Sequence, residues 1–314
     1  MNIVTSSIRN CLWPSSRLHG LQLFLNLCPF LLDEDKVDRI VPFIVELLSD
    51  DVAIVRAEAC RTLIIVVSQS FTRCDAFFLV QVESIASITT QNATFIPEYL
   101  VPQMRHLAID SDVFVRATYA RGLVRLADAA INLLELGQAA KTTRSDFDSS
   151  GIIEVCTYQR ETELTKQPDY DSMLLEIQSV VEEQATTLLV DSSSHVKRAM
   201  LSSISDLCLF FGRQKSSETV LSHIMTYLND RDWLLRLAFF DGVVGVGAFI
   251  GIRAIVEYVL PLMLQSLAGE CVCWAQLTKR CRGGGHSESH IFLDKSGFLG
   301  SFAENETMGC LLRC

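Results

Sequence analysis

The stretch D-S-D-V-F-V-R-A-T-Y-A-R-G-L-V-R-L-A-D-A-A, residues 110–130, determines the fold that we predict for this chain. Its large apolar residues recur three or four positions apart, which places them on one face of a helix. These residues are Val115, Tyr119, Leu123 and Leu126. Alanines beside that face leave room for the close approach of a second helix, and they are Ala117, Ala120 and Ala127. The stretch therefore predicts a helix that packs against a neighbour.

The same pattern recurs along the chain, each time with an aspartate six residues before a basic residue. The pairs are Asp50 and Arg56, Asp110 and Arg116, Asp191 and Lys197, and Asp230 and Arg236. A fainter copy has Arg17 but carries Cys11 in place of the aspartate. The intervals between copies are 39, 60, 81 and 39 residues. We interpret 60 as one unit plus an insertion and 81 as two units with a degenerate middle. A period of about 40 residues with two helices per unit is the signature of HEAT and armadillo repeats.

We therefore predict an all-α fold, an α-solenoid of HEAT/armadillo-type helix pairs, over residues 1–268. Irregular insertions are expected near 68–96 and 139–170, the second as a loop. Residues 269–314 lose the periodicity and contain a run of three glycines, so we expect a divergent, poorly ordered tail. The array opens without the polar capping helix that solenoids normally carry. We expect that the chain is a fragment of a longer protein or that another domain precedes it.

Local signals place several helix ends. Ser15 or Ser16, which follow a proline, are candidate caps for the helix that carries Arg17. Residues 170–190 have the apolar spacing of one long helix, and Gly212 is suited to end a helix. Three glycines fall within the predicted helix 233–250, where they would allow close packing: Gly242, Gly245 and Gly247.

Composition excludes several classes of function. The formal net charge of −10 argues against nucleic acid as a partner, because phosphate binding requires a basic stripe, and none is evident in the sequence. The 11 cysteines form no disulfide framework, which favours a reducing, cytoplasmic environment. The most apolar window, 233–252, is interrupted by Arg236 and Asp241, so we interpret it as a buried helix rather than a membrane span.

No catalytic, cofactor-binding or metal-binding residues are predicted. The three glycines of 242–247 follow no strand, so helix packing is a better interpretation than nucleotide binding. A possible zinc set lies in the tail, at Cys271, Cys273, Cys281, His286 and His290. Its spacing lacks the usual C-x2-C knuckle, and we favour a tail without metal. The aspartate–arginine spacing is interpreted as structural: the aspartate would cap the second helix, and the arginine would reach the loop of the neighbouring unit.

Beyond its periodicity, the chain resembles the HEAT-repeat region of the regulatory, pseudokinase-scaffold subunit of class III phosphatidylinositol 3-kinase complexes. The resemblance rests most specifically on F-F-G-R-Q-K at 210–215, followed by L-S-H-I-M-T-Y-L-N-D at 221–230 and A-F-F-D-G-V-V-G-V at 238–246. Further matching segments are D-R-I-V-P-F at 38–43, V-R-A-E-A-C-R-T-L at 55–63, F-I-P-E-Y-L-V-P at 95–102, V-R-A-T-Y-A at 115–120 and L-A-D-A-A at 126–130. Residues 71–81 and those after 268 depart from the family pattern.

The resemblance implies a scaffold without catalytic activity in vacuolar protein sorting and autophagy. Members of that family have a kinase-like domain before the repeats and a WD40 propeller after them, and neither is encoded in this chain. The implied partners are the lipid kinase catalytic subunit and its autophagy or endosome adaptors. The implied location is cytoplasmic, peripheral on endosomal and autophagic membranes through the complex. The alternative is a generic HEAT-repeat adaptor that is unrelated to a lipid kinase.

Overall fold

The computed structural model describes residues 11, 13–31, 35–70, 95–148 and 170–268. All regular structure within these ranges is helical. The chain forms two compact units, residues 1–203 and 204–314. Each unit is built from helices that pack against their neighbours, in agreement with the predicted all-α solenoid of helix pairs. The zinc candidates and the rest of the tail lie outside the described residues, as do residues 71–94.

The first unit contains seven helices among its described residues. Helix α1 spans Pro14–Leu27 and is followed by a 3₁₀ turn, Cys28–Phe30. Helix α2 begins as a π-helical segment, Lys36–Ile40, and continues as Val41–Leu47. Helix α3 spans Ala53–Ser70. Helix α4 joins three short segments: Phe95–Leu100, Val101–Met104 and Arg105–Ile109. Helix α5 spans Val113–Asp148, α6 Tyr170–Leu189 and α7 Ser194–Leu201.

The second unit contains four helices among its described residues. Helix α8 spans Ile204–Lys215, with a non-helical residue, Gly212, inside it. Helix α9 joins Ser216–Leu221, Ser222–Ile224 and Met225–Asn229. Helix α10 spans Trp233–Ile250. Helix α11 joins Ile252–Ala254, Ile255–Val259 and Leu260–Ala268. Helix α8 packs against α9 and α10, so this unit holds a helix pair and the helix that stacks on it.

The predicted apolar faces form the core. Val115 and Tyr119 are fully buried, and Leu123 and Leu126 are each 2% exposed. The alanines expected at a close helix contact, Ala117, Ala120 and Ala127, are buried as well. Helix α5 packs against α3 on one side and against α6 and α7 on the other. The helix expected over 170–190 is confirmed as α6, and it is buried through Ile177, Val181, Ala185 and Leu188.

The interpretation of the 81-residue interval as two repeats with a degenerate middle is wrong. No degenerate unit separates the copies at 110 and 191, because α6 and α7 pack directly on α5 and Arg116 Nε lies 2.7 Å from Asp191 Oδ2. The interval is one repeat plus an insertion. The interval of 60 is likewise one repeat plus an insertion, as predicted, since α3 packs directly on α5.

Helix α5 also continues further than expected. The sequence predicts a loop from residue 139, whereas the helix runs to Asp148 and is 36 residues long. Polar composition suggested a loop, but 138–148 contain neither proline nor glycine. Alanine, lysine, glutamine and arginine in this segment have high helix propensity, so a polar stretch can extend a helix that is already nucleated.

The predicted start of α1 is wrong, whereas the predicted interruption at Gly212 is confirmed. Neither Ser15 nor Ser16 caps α1: the helix begins at Pro14, and Trp13 occupies the N-cap position without a side-chain hydrogen bond. Proline favours the first helical position because it lacks the N–H that would remain unpaired there. Gly212 behaves as predicted, since its φ of 74° lies in the left-handed region that favours glycine and interrupts the helix.

The prediction that glycines in 233–250 permit close packing is confirmed for two of them. A Cβ added to Gly245 would lie 1.8 Å from the Oγ of Ser205 on α8. One added to Gly247 would lie 2.7 Å from the Cδ1 of Ile255 on α11. Both distances are shorter than van der Waals contact, so only glycine fits these positions without movement of the neighbour.

Candidate functional site

An aspartate closes the turn before the second helix in each repeat. Asp50 Oδ1 accepts a hydrogen bond from the backbone N–H of Val52 at 2.9 Å. Asp110, Asp191 and Asp230 accept from the residue two positions ahead in the same way, at 2.8, 2.7 and 2.9 Å. The cap of the following helix is a different residue, as at Asp232, whose side chain accepts from Leu234 N. The aspartate therefore forms an Asx turn rather than the helix cap that we predicted.

Arg56, the arginine that follows Asp50, makes two kinds of contact. Arg56 Nη1 donates to the carbonyl oxygens of Asp50 and Asp51 in its own turn, at 2.8 and 3.2 Å. Its Nε and Nη2 donate to the two carboxylate oxygens of Asp110 in the next repeat, both at 2.8 Å. The planar guanidinium suits this bidentate geometry. One side chain thus holds its own turn and fixes the position of the next.

Contacts of this kind join four consecutive repeats of the first unit. Arg116 donates to the carbonyl of Asp110 at 2.6 Å and to both carboxylate oxygens of Asp191 at 2.7 and 3.2 Å. Arg17 donates to the carbonyl of Cys11 at 3.2 Å and through Nη2 to Asp50 at 3.0 Å. Its Nε lies 2.8 Å from Asp50 Oδ2, a distance that makes an ion pair, but the two atoms are not aligned for a hydrogen bond. We call the three contacts Arg17–Asp50, Arg56–Asp110 and Arg116–Asp191 the arginine–aspartate ladder.

The ladder is largely shielded from water. Its arginine side chains are 12–18% exposed and its aspartate side chains 7–9%. Burial by itself raises the pKa of Asp110, but hydrogen bonds from Arg56 and from the N–H of Asp112, with the charges of Arg56 and His106, lower it to a net value below the ordinary one. His106 adds a further contact between turns, with Nε2 3.3 Å from the carbonyl oxygen of Leu48. Because every carboxylate of the ladder faces an arginine, we interpret the ladder as a structural device.

Cysteine and tyrosine side chains in the described core are not activated for chemistry. Cys60 and Cys208 are fully buried within apolar helices. Burial raises the pKa of Cys60, Cys28 and Tyr119, and the pKa of Cys208 is raised by burial although Ser216 opposes it. A nucleophilic thiol would need a lowered pKa. These groups therefore serve as core residues.

Two concave regions lie among the described residues. In the first unit, a cavity of about 10 Å³ is lined by apolar side chains, including Ile96, Leu126 and Val181. Gln184 also lines it, and its Oε1 accepts no hydrogen bond from the described part of the chain. In the second unit, a depression of about 410 Å³ is lined by Arg213, Gln214, Ser217, Glu218 and Ile250. Neither brings together a nucleophile, a base and an oxyanion donor.

The described residues contain neither a metal-binding cluster nor a membrane-spanning helix. Within the described ranges, no group of three or more histidine, cysteine, aspartate or glutamate side chains is placed to hold a metal ion. Among the same residues, every helix is too short or too polar to cross a bilayer. The tail residues considered for zinc lie outside the described residues, and so they stay untested.

Large apolar side chains are exposed where the repeats turn. Ile54, Ile109, Phe114 and Val190 are 57%, 75%, 50% and 62% exposed. They lie one residue before or four residues after an aspartate of the repeat pattern. Sequence reasoning did not identify them, although their repeated position relative to Asp50 and Asp110 could have indicated them. Exposed apolar residues that cluster mark surfaces for protein contact.

Sequence comparison relates this chain to a family of known proteins. The family model described as PIK3R4-like, middle domain, matches residues 1–273. The probable serine/threonine-protein kinase vps15 of Dictyostelium discoideum is 32% identical over 274 residues, which is 86% of this chain and 13% of that protein. Serine/threonine-protein kinase vps15 of Schizosaccharomyces pombe is 37% identical over 221 residues, 70% of this chain and 12% of that protein.

A plant relative shows the same relationship. Serine/threonine-protein kinase VPS15 of Arabidopsis thaliana is 30% identical over 249 residues, which cover 77% of this chain and 16% of that protein. The chain thus spans less than a fifth of the length of these relatives, which are named as kinases, and the matched family model describes a middle domain. Since that model covers most of the chain, this protein belongs to the PIK3R4-like middle-domain family.

Proposed function

We propose that this chain is a non-catalytic scaffold region of a regulatory subunit, and that it organises a class III phosphatidylinositol 3-kinase complex in endosomal sorting and autophagy. The observation that carries the proposal is the match of residues 1–273 to the PIK3R4-like middle domain. The ladder supports it, because stacked repeats with paired charges at their turns provide a stable, extended surface for other chains.

A non-catalytic role is supported by the part of the relatives that this chain matches. The relatives are named as serine/threonine-protein kinases, but the chain covers only 12–17% of the length of the first listed ones. The matched part carries the description of a middle domain. In the described repeats, charged side chains such as Arg56 and Asp110 are used in contacts between helix pairs. We propose that any phosphoryl transfer is performed by other regions or other subunits.

The proposed partners are protein subunits: the lipid kinase catalytic subunit and its autophagy or endosome adaptors. Nucleic acid is not a proposed partner, since the chain carries a formal net charge of −10. Association with endosomal and autophagic membranes would be peripheral and would occur through the complex. The alternative, a generic adaptor unrelated to a lipid kinase, is not favoured, because the family match covers residues 1–273 rather than a single repeat.

Co-purification tests the proposal. The full-length protein that contains this region is expressed with the class III lipid kinase catalytic subunit, once intact and once with the residues that correspond to 1–268 removed. We expect the intact protein to retain the catalytic subunit. The amount that co-purifies with the deleted form should be at least about tenfold lower. Failure of the intact protein to associate refutes the proposed complex. Equal retention by both forms would show that another region carries the contact.

A further inference from the structure

The ladder sets the lateral register of α3 and α5. Arg56, in the first turn of α3, makes two hydrogen bonds of 2.8 Å to Asp110, in the turn that precedes α5. Further along the two helices, a Cβ added to Gly122 would lie 2.2 Å from Ile64 Cδ1, so α3 and α5 pack closely side by side. Their equivalent positions in the repeat place Ile54 near Phe114 and Arg61 near Arg121. Packed helices have axes about 8–10 Å apart, so the exposed side chains of each pair belong to one surface.

That surface carries two parallel rows of different chemistry. The apolar row consists of Ile54 and Phe114, which are 57% and 50% exposed. The cationic row consists of Arg61 and Arg121, with Arg125 one turn further along α5, and all three are exposed. The rows are seven residues apart on each helix, which is two turns and about 10 Å. Neither row enters the core.

Acidic side chains compensate only part of this positive charge. Arg61 pairs with Glu58 on its own helix, and Asp128 lies about one turn beyond Arg125. The neighbouring helix α7 adds His195 and Arg198. The pKa of His195 is lowered, first by burial and then by the charges of Arg121 and Arg198, which indicates a local excess of positive charge. In a chain with a formal net charge of −10, this face is an exception.

A ligand that matches the face must combine negative charge with an apolar side. An α-helix with side chains is about 10–12 Å in diameter, so one helix laid across α3 and α5 can cover both rows at once. Amphipathic helices recognise grooves and faces through such paired apolar and charged stripes. Opposite charges would also raise the association rate and favour this orientation over others.

We propose that the exposed face of α3 and α5 binds an acidic amphipathic helix of another protein. Its carboxylates contact Arg61, Arg121 and Arg125, and its apolar side chains contact Ile54 and Phe114. The contact buries two apolar side chains that are now half exposed and places carboxylates beside three exposed arginines. The proposal concerns the local surface and does not depend on the identity of the complex.

The test measures binding of the complete chain to a fluorescent probe, an 18-residue helical peptide with glutamates on one side and leucines on the other. The first variant carries Arg121→Gln and Arg125→Gln. Its matched control carries Arg39→Gln and Arg253→Gln, which remove the same charge from two exposed arginines elsewhere, 62% and 97% exposed. We expect the first variant to weaken binding at least about tenfold and the control less than about twofold. Phe114→Ser should weaken binding about fivefold.

Three results would overturn the proposal. One is equal loss of binding in the variant and its matched control, which would show only a net-charge effect. Another is equal affinity for a peptide in which every glutamate is replaced by glutamine. The third is binding to phosphatidylserine vesicles, lost in Arg121→Gln with Arg125→Gln, by a chain that does not bind the acidic peptide. That result would identify the face as a membrane contact. Thermal melts of each variant exclude unfolding as the cause.

Discussion

The two units of this protein join neighbouring helices by different physical means. In the first unit, the ladder bonds the arginine of one repeat to the aspartate of the next, with all three contacts shielded from water. In the second unit, α8 and α10 approach so closely that Ser205 leaves no space for a Cβ at position 245, where the chain has glycine. The ladder depends on charge and geometry, and the contact at Gly245 depends on shape. The first unit adds a contact of the second kind where Gly122 packs against Ile64. A repeat array can therefore keep its helix packing while the contacts that specify it change.

The difference has consequences for how each unit responds to mutation. A buried ion pair that loses one partner leaves an uncompensated charge, which is more costly than the loss of the contact itself. A glycine contact that gains a methyl group must shift the backbone or distort a side chain, but no charge is exposed to a low-dielectric interior. We therefore expect ladder substitutions to destabilise the protein more than glycine substitutions.

The largest effect is expected for Arg116→Ala. The substitution removes the bonds to the carbonyl of Asp110 and leaves the carboxylate of Asp191, 9% exposed, without its guanidinium. We expect the free energy of unfolding to fall by about 3–5 kcal/mol, measured by chemical denaturation. Hydrogen exchange should accelerate in α5, α6 and α7 more than in α10. Binding partners should be lost together rather than one selectively.

Arg105→Ala is the matched control for this prediction. Arg105 on α4 also pairs with a carboxylate of the next repeat, Glu183 on α6, but the two side chains are 57% and 54% exposed. An exposed pair contributes less than about 1 kcal/mol, so this variant should stay close to the wild type. An unchanged melting temperature for Arg116→Ala, or an equal decrease for both variants, would contradict a structural role specific to the ladder.

A smaller loss is expected for Gly245→Ala in the second unit. The added Cβ would lie 1.8 Å from Ser205 Oγ and 2.9 Å from Ser205 Cβ, so α8 and α10 must separate or shift. Overpacking of this kind costs about 1–3 kcal/mol, from which the higher helix propensity of alanine recovers up to about 1 kcal/mol. We expect a net loss of about 1–2 kcal/mol by chemical denaturation.

A second substitution checks the cause. Ser205→Gly removes both atoms that the new methyl group would meet, so the double variant should be more stable than the sum of the two single changes implies. Additive effects would show that the contact with Ser205 is not the source of the loss. Hydrogen exchange should rise first in α8 and α10, which is the reverse of the pattern expected for Arg116→Ala.

The smallest effect is a pH dependence confined to the ladder. The folded-state pKa of Asp110 lies below its unfolded value, so this group contributes stability that is present above the unfolded pKa, near pH 4. That contribution is lost as pH falls through the folded pKa. Denaturation between pH 7 and pH 3 should therefore show less acid sensitivity in Asp110→Asn than in the wild type. The exposed substitution Asp171→Asn should leave the profile unchanged; equal flattening by both would exclude the ladder as its source.

Much of the fold was predictable because helical periodicity is a local property. The apolar spacing of 115–126 and of 174–188 predicts which faces are buried, and the residue pattern predicts Gly212 as an interruption. Close approach at Gly245 was predicted from a run of glycines. The equivalent contact in the first unit was missed: a Cβ on Gly122 would lie 2.2 Å from Ile64 Cδ1. A single glycine within a helix carries no signal of what packs against it.

The faint first repeat illustrates a second limit. The repeat pattern has aspartate at the position that Cys11 occupies. Arg17 nevertheless makes its hydrogen bond there, because it donates to the backbone carbonyl oxygen, which any amino acid provides. The carboxylate of the pattern is needed for the arginine of the preceding repeat, as Asp110 is for Arg56. The prediction that the arginine reaches the loop of the neighbouring unit is confirmed by Arg56 and Arg116. The spacing did not show that the aspartate side chain of that loop is its partner.

The sequence by itself determined the helical repeat, its buried faces and the family resemblance, since each depends on residues within one repeat or on short motifs. Only the tertiary structure decided which repeats are neighbours and which arginine meets which aspartate. The interval of 81 residues could hold one repeat or two, and the contact between Arg116 and Asp191 shows that it holds one. The physical reason is that chain length between two helices does not determine whether they pack, because an insertion can leave the contact surface unchanged.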